Sequence, residues 1–201
     1  MEALLATSLL ILCAASTASA RTGGFASADE PLDDRGARDA AAFRLPARFA
    51  DAIHVSPWAS ARQTAATWGE GQEEAAIADV DPGRWGGMTF ERIEADEPSA
   101  FQAWLADPLP GAPGGESMAD ALMRVGRWLD GAACVDRPIC AVTHPMVIRL
   151  ALGHAIGMGM ETARAIDIAP LSGVLLSFNR MWRLQALGAA EQWGGKDPRT
   201  A

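Results

Sequence analysis

Apolar and polar positions along the chain predict strands and helices that follow one another in turn. Short apolar runs, typical of strands buried on both faces, occupy residues 9–14, 53–55 and 139–143. Apolar residues at helical spacing predict helices at residues 33–49, 59–68, 116–129 and 145–157, and residues 174–178 and 182–187 predict a closing hairpin. This alternation predicts a three-layer α/β/α sandwich with a mostly parallel central sheet.

The segment between the second and third of these strands predicts an insertion. Its one strand-like portion is residues 77–80, and residues 89–94 and 98–106 predict short helices. Residues 107–115 contain three prolines and three glycines, which exclude regular structure. We therefore predict a single domain over residues 1–190 with a lid-like insertion at about residues 83–115, followed by a loose polar tail at residues 191–201.

The first twenty residues resemble a secretory signal, because an apolar stretch precedes Ala18, Ser19 and Ala20, an apparent cleavage site. A secretory signal begins with a positive segment, but here Glu2 precedes the apolar run and no Lys or Arg does. The same stretch supplies the first predicted strand. We interpret it as part of the fold, and we expect a cytoplasmic protein.

Composition limits the partners that this chain can bind. A formal net charge of -8 argues against nucleic acid and against an anionic membrane surface. The three cysteines, Cys13, Cys134 and Cys140, match no zinc-binding spacing, so we expect no metal and no cofactor. Apart from the apolar stretch in the first twenty residues, no apolar run approaches the length of a membrane span. A small-molecule substrate is the expected partner, and a homodimer is left open.

Four short blocks lie, in this order, at residues 56–65, 83–87, 113–117 and 142–149, and a fifth lies at residues 31–36. Each block alone is a weak signal, but together they span nearly the whole chain and are jointly specific. These blocks resemble the signature of the histidine phosphatase (phosphoglycerate mutase-like) superfamily.

The resemblance implies a phosphohistidine mechanism in ordinary members of the family. An Arg-His-Gly motif after the first strand supplies the nucleophile. A second histidine and two arginines hold the phosphoryl group, and an acidic residue protonates the leaving oxygen. This chemistry needs a neutral imidazole to attack phosphorus and cations to neutralise the equatorial oxygens.

The present sequence departs from that motif at the nucleophile. Matched to the family, Cys13 stands in the place of the first arginine and Ala14 in that of the nucleophilic histidine, while Thr17 matches the family's threonine. The conclusion does not depend on the register, because no histidine precedes His54 and the only arginine before Arg35 is Arg21. The resemblance therefore predicts a family member without its nucleophile.

Other positions are partly retained. Ser60 replaces the phosphate-binding arginine of the second block, and Asp79 matches the acid. His144 matches the second histidine and is followed by Pro145, where the family usually has glycine. Losing these cations predicts weak phosphate binding, because each charge-assisted hydrogen bond contributes about 1.5–3 kcal/mol.

We expect His144 and Asp79 to be catalytic groups for proton transfer. The leading hypothesis is a repurposed enzyme, of the lyase or isomerase type, that performs elimination, isomerisation or cyclisation on a small organic substrate in specialised metabolism. One alternative is a catalytically inactive pseudophosphatase that binds a ligand or a partner. A third is a residual phosphatase with Cys13 or Ser16 as nucleophile. The expected substrate-binding residues are Cys13, Ala14, Ser16, Thr17, Ser60 and Trp85.

The remaining histidines and the tryptophans of the lid have less specific interpretations. His54 and His154 are expected to be core or surface residues. Trp58, Trp85 and Trp104 fit either core packing or an adaptable aromatic lid over an apolar substrate.

Overall fold

The sheet of this protein has six strands in the order β3-β2-β4-β1-β5-β6. The computed structural model describes residues 7–193. Strands β1 to β4 pair in parallel, whereas β5 pairs antiparallel with β1 and β6 antiparallel with β5. The mostly parallel sheet predicted from the sequence is thereby confirmed. The strands are β1 (Thr7–Cys13), β2 (Ile53–Val55), β3 (Gln72–Glu73), β4 (Ile139–Thr143), β5 (Gly173–Asn179) and β6 (Met181–Gly188).

Helices cover both faces of this sheet. Helices α6 and α7 pack on one apolar core with the sheet, and residues of α2 and α3 pack on a second core across it. The result is the predicted three-layer α/β/α sandwich. The helices are α1 (Ala18–Thr22), α2 (Asp34–Ala42), α3 (Ala59–Ala65), α4 (Phe90–Asp96), α5 (Pro98–Ala106), α6 (Met118–Ala133), α7 (Pro145–Ile156), α8 (Met160–Arg164) and α9 (Ala190–Trp193).

The segment predicted as an insertion has an apolar core of its own. A 3-10 turn at Gly83–Trp85, followed by α4 and α5, contributes Trp85, Ile93 and Phe101 to this cluster. We call residues 83–115 the cap. Its central side chain, Trp85, is 0% exposed.

Several predicted boundaries are wrong. The helix expected at residues 33–49 ends at Ala42, because Phe43 is extended and Pro46 disfavours helix in the residue before it. Residues 77–80 do not form a strand, since a 3-10 turn at Ala75–Ile77 precedes the loop there. The edge strand β3 lies earlier, at Gln72–Glu73. Helix α1 lies between residues 14 and 33, where the sequence pattern predicts no helix or strand.

The two ends of the chain are only partly described. Of the signal-like stretch, residues 7–13 form β1 at the centre of the sheet, and residues 1–6 lie outside the described residues. The predicted loose tail starts too early, because Trp193 in α9 is buried and its indole N–H donates to the Gly188 carbonyl at 3.0 Å. Residues 194–201 of that tail lie outside the described residues. Within residues 7–193, no helix is long and apolar enough to cross a membrane.

Candidate active site

Three parallel strands end at the same edge of the sheet and bring the retained and the substituted motif positions together. Ala14 follows β1, and its amide N–H donates to the Thr143 carbonyl at 2.7 Å. Ser56 follows β2, and its amide donates to the Val142 carbonyl at 2.9 Å. His144 follows β4 directly and is the N-cap residue of α7. Ligands of α/β sheets bind at the carboxyl ends of such strands.

His144 is the centre of this edge. Its side chain is nearly buried, with the residue 5% exposed. The imidazole Nε2 lies 2.8 Å from the Ser56 Oγ, and Nδ1 lies 3.7 Å from an Asp79 carboxylate oxygen. The ring of Trp58 packs against it with a centroid separation of 5.2 Å. Burial lowers the pKa of His144, and the Asp79 carboxylate opposes that shift only in part. The imidazole is therefore neutral at pH 7.

The loop that carries Asp79 is fixed by Arg124 of α6. The guanidinium donates to the Ala76 carbonyl at 2.9 Å and to the Asp79 carbonyl at 3.0 Å. It also forms a two-pronged ion pair with Glu116, at 2.7 and 2.8 Å. From the other side, the Thr143 hydroxyl donates to the Ile77 carbonyl at 2.6 Å. These bonds hold the Asp79 carboxylate beside the His144 ring.

The positions that replace the phosphate-binding motif are buried and carry no cation. Ala14 is 5% exposed and belongs to the apolar core on the α2 and α3 side of the sheet. Burial, with a smaller effect of Asp79, raises the pKa of the Cys13 thiol to about 12. Cys13 is therefore a protonated thiol and a poor nucleophile. Ser60 is 6% exposed in the first turn of α3.

The two predicted hydroxyls after β1 make their contacts away from His144. Ser16 donates to the Asp33 carboxylate at 3.0 Å. Thr17 caps α1, and its hydroxyl lies 3.2 Å from that of Ser19. Among the hydrogen bonds of the described chain, none joins Ser16 or Thr17 to His144.

A cleft of about 430 Å³ lies between residues 18–31 and the cap. It is lined by small and hydroxyl side chains and by the carboxylates Asp29 and Glu30. Arginine and lysine are absent from its described lining. An anionic ligand would meet repulsion rather than a counter-charge there.

Trp85 does not lie where a substrate-binding residue is needed. Its ring packs against Phe25, Phe101 and Trp104 with centroid separations of 5.8, 6.0 and 6.2 Å. Because no part of the side chain is exposed, the structure favours core packing of the cap over an adaptable aromatic lid. The tryptophan that touches the site is Trp58.

The other two histidines lie elsewhere. The His54 ring packs on Trp128 at 6.0 Å, and the His154 Nε2 lies 2.8 Å from the Asp130 carboxylate, which links α7 to α6. Residues 7–193 contain no cluster of three or more His, Cys, Asp or Glu side chains that could hold a metal ion.

Sequence reasoning missed three residues of this site. Ser56 is the first residue of the block at residues 56–65, directly before a proline, and the family resemblance assigned it no role. Arg124 is an ordinary position of an amphipathic helix in the sequence. Leu171 has a φ of 60°, a left-handed conformation that is strained for a bulky side chain, and its amide donates to the Cys13 carbonyl at 3.2 Å. No periodicity in the sequence reports such a backbone angle.

The fold and the edge just described define a phosphoglycerate mutase-like α/β protein. The family model for the histidine phosphatase superfamily (branch 1) matches residues 9–188. The chain belongs to this superfamily.

Two relatives are similar to part of the chain. The chain is 31% identical over 143 residues to phosphoserine phosphatase 1 of Hydrogenobacter thermophilus, covering 66% of this chain and 68% of that protein. It is 32% identical over 100 residues to a bifunctional protein of Mycobacterium tuberculosis, covering 48% of this chain and only 28% of that protein's length.

Two solved structures show the same fold at low identity. The α-ribazole phosphatase of Shigella flexneri superposes with a TM-score of 0.82 at 18% identity, covering 91% of this chain and 96% of that chain. A histidine-to-alanine mutant of phosphoserine phosphatase from Entamoeba histolytica, in complex with phosphoserine, superposes with a TM-score of 0.73 at 18% identity, covering 92% and 98%.

Proposed function

We propose that this chain is a histidine phosphatase superfamily member that does not use phosphohistidine chemistry, and that His144 with Asp79 transfers protons on a small organic substrate. The observation that carries the proposal is that Ala14 stands in the place of the family's nucleophilic histidine. Its amide donates a hydrogen bond to the carbonyl of Thr143, the residue before His144. A methyl group cannot form a phosphoenzyme. The retained histidine keeps a carboxylate 3.7 Å away.

Electrostatics support the loss of phosphate chemistry independently of the nucleophile. Two of the cations that the family places around phosphate are replaced by Cys13 and Ser60, both buried. A phosphate dianion at this edge would therefore lose several contacts of about 1.5–3 kcal/mol each. A neutral molecule, which does not need those cations, fits this edge better.

The surroundings of His144 support proton transfer. A buried, neutral imidazole beside a carboxylate is the arrangement in which two groups can exchange protons with a substrate near pH 7. Elimination, isomerisation and cyclisation are the reaction types that need only such a pair. Three of the four proteins named above are phosphatases by name, so this part of the proposal goes beyond what those names say.

A second candidate is a catalytically inactive binding protein, and one observation favours it. The ring of Trp58 packs against His144, and Ala14 belongs to the apolar core. The edge of the sheet that carries His144 is therefore tightly packed. The phosphoserine complex of a histidine-to-alanine mutant illustrates that a related protein with such a substitution can hold a ligand. If the protein is such a binding protein, its ligands bind and dissociate without chemical change.

Solvent isotope exchange separates the two candidates. The protein is incubated in D₂O with a library of small metabolites, and deuterium incorporation or product formation is followed by mass spectrometry. Proton-transfer chemistry predicts exchange that is lost in both His144→Gln and Asp79→Asn and is kept in His154→Gln, a matched surface control. A metabolite that shifts the melting temperature but is recovered without deuterium or conversion supports the binding protein instead.

A further inference from the structure

The hydrogen bonds around Ser56 have a direction that can be worked out. Ser56 is 0% exposed, so bulk solvent does not reach its hydroxyl. Its hydroxyl oxygen accepts a hydrogen bond from the Trp58 backbone N–H at 3.3 Å, and a backbone N–H can only donate. Across residues 7–193, the one other partner of this oxygen is the His144 Nε2 at 2.8 Å.

Only one arrangement of protons satisfies every group in this chain of bonds. If Nε2 carried the proton, it would donate to the Ser56 oxygen, and the hydroxyl proton would be buried without an acceptor. If the hydroxyl donates to Nε2, both groups are satisfied, and the proton of the neutral ring resides on Nδ1. Buried polar groups that lack a partner are costly and rare, which decides between the two arrangements.

We propose that Ser56 is a positioning residue, which holds the neutral His144 in the tautomer protonated on Nδ1 so that an N–H faces Asp79. The assignment concerns the free protein. Its catalytic consequence rests on the proposed function: the Nδ1–H of His144 donates a hydrogen bond to a substrate acceptor such as a carbonyl oxygen, and the Asp79 carboxylate, on the same side of the ring, accepts the proton that the substrate loses. In this arrangement, His144 donates a hydrogen bond and Asp79 accepts a proton, so the two groups have different roles.

Nitrogen NMR of the imidazoles tests this directly. The intact protein is labelled with ¹⁵N-histidine, and the signals of its three histidines are assigned with His144→Gln, His54→Gln and His154→Gln. At pH 8, wild-type His144 is expected to show a protonated Nδ1 and an unprotonated Nε2. In Ser56→Ala, Nε2 loses its donor while Asp79 still faces Nδ1, so the Nε2-protonated fraction should increase and the pKa of His144 should rise.

Controls separate a loss of positioning from a general loss of structure. Thr7→Val removes another buried hydroxyl, which donates to backbone carbonyls at the opposite end of β1, and it should leave the His144 signals unchanged. Ser56→Thr keeps a hydroxyl and should retain the wild-type tautomer.

The wild-type spectrum is decisive even if Ser56→Ala does not fold. A proton on Nε2 of wild-type His144 overturns the assignment, and so does a folded Ser56→Ala in which neither the tautomer nor the pKa of His144 changes. Because the spectrum needs no substrate, failure to find any turnover contradicts the proposed function and leaves this assignment standing. Turnover with an Nε2-protonated His144 does the reverse.

Discussion

The amide of Ala14 donates to the carbonyl of Thr143 across 2.7 Å, which sets the side chain in the nucleophile's place beside the residue that precedes His144. The backbone at this edge therefore keeps the pairing of β1 with β4 although the motif side chains have changed. Cys13 opposite Thr143 continues the same register. The scaffold of the site is intact, and its chemistry differs.

Stability should depend on pH through His144, which is buried, and His54, which is half-buried. Burial lowers the pKa values of His144 and His54 below the ordinary value of 6.5. The unfolded chain therefore binds protons at pH values where the folded chain does not, so unfolding is favoured by acid. The free energy of unfolding should be level above about pH 7.5 and should fall as the pH drops through about 6.5 towards the folded pKa values.

The contribution of His144 to this slope can be isolated. His144→Gln removes the titrating group, so urea titrations between pH 5 and pH 8 should show a shallower loss than wild type at low pH. His154→Gln serves as a matched variant at a partly exposed position. Equal slopes in wild type and His144→Gln would contradict the buried neutral imidazole.

Arg124 should matter more for stability than an ordinary surface arginine. Arg124→Met removes bonds to the Ala76 and Asp79 carbonyls and leaves Glu116, whose side chain is 19% exposed, without its partner. We expect a loss of about 2–3 kcal/mol in the free energy of unfolding.

The control for this prediction is Arg92→Met. Arg92 forms an exposed ion pair with Asp96 four residues along α4, and its loss should change stability by less than about 0.5 kcal/mol. Both values come from chemical denaturation at pH 7.5. Similar losses in the two variants would show that Arg124 does not tie the Asp79 loop to α6.

Two glycines of the cap allow a matched comparison of backbone packing. Gly83 has a φ of +54°, and a Cβ there would lie 2.4 Å from the Gly115 nitrogen and 2.5 Å from the Pro113 oxygen. Gly114 has a φ of +75° with open space around it. Gly83→Ala combines strain with a clash against backbone, whereas Gly114→Ala incurs strain alone.

Thermal or urea unfolding measures the difference. Gly114→Ala should lose about 1 kcal/mol, and Gly83→Ala should lose more than about 2 kcal/mol with loosening of the cap. If the two variants are equally stable, the turn at Gly83–Trp85 does not pack against residues 113–115 as described.

The sequence was informative where periodicity and chemistry agree. The apolar runs place β2 and β4 at their observed bounds, and the order of the short blocks leads to His144 and Asp79, which lie 3.7 Å apart. Sequence patterns failed where tertiary contacts decide. Helix α1 is capped by Thr17 within a polar stretch, and Leu171 has a left-handed angle where its amide donates to the Cys13 carbonyl.

Side-chain partners were the least predictable part of the site. The Ser56 hydroxyl bonds to a ring that lies 88 residues away along the chain, and no local pattern encodes such a contact. Trp85 illustrates the opposite error, because an aromatic residue in a lid reads as a binding residue but fills the cap's own core.

The most direct test of the central claim is phosphatase activity. Pure protein is assayed with an aryl phosphate, phosphoserine and α-ribazole phosphate, with His144→Ala as control. A triple variant, Cys13→Arg, Ala14→His and Ser60→Arg, tests whether the family's groups restore activity. We predict no turnover by wild type above the His144→Ala control. Wild-type turnover at ordinary enzyme rates that is lost in His144→Ala would contradict the account, because another group would then have replaced the missing nucleophile.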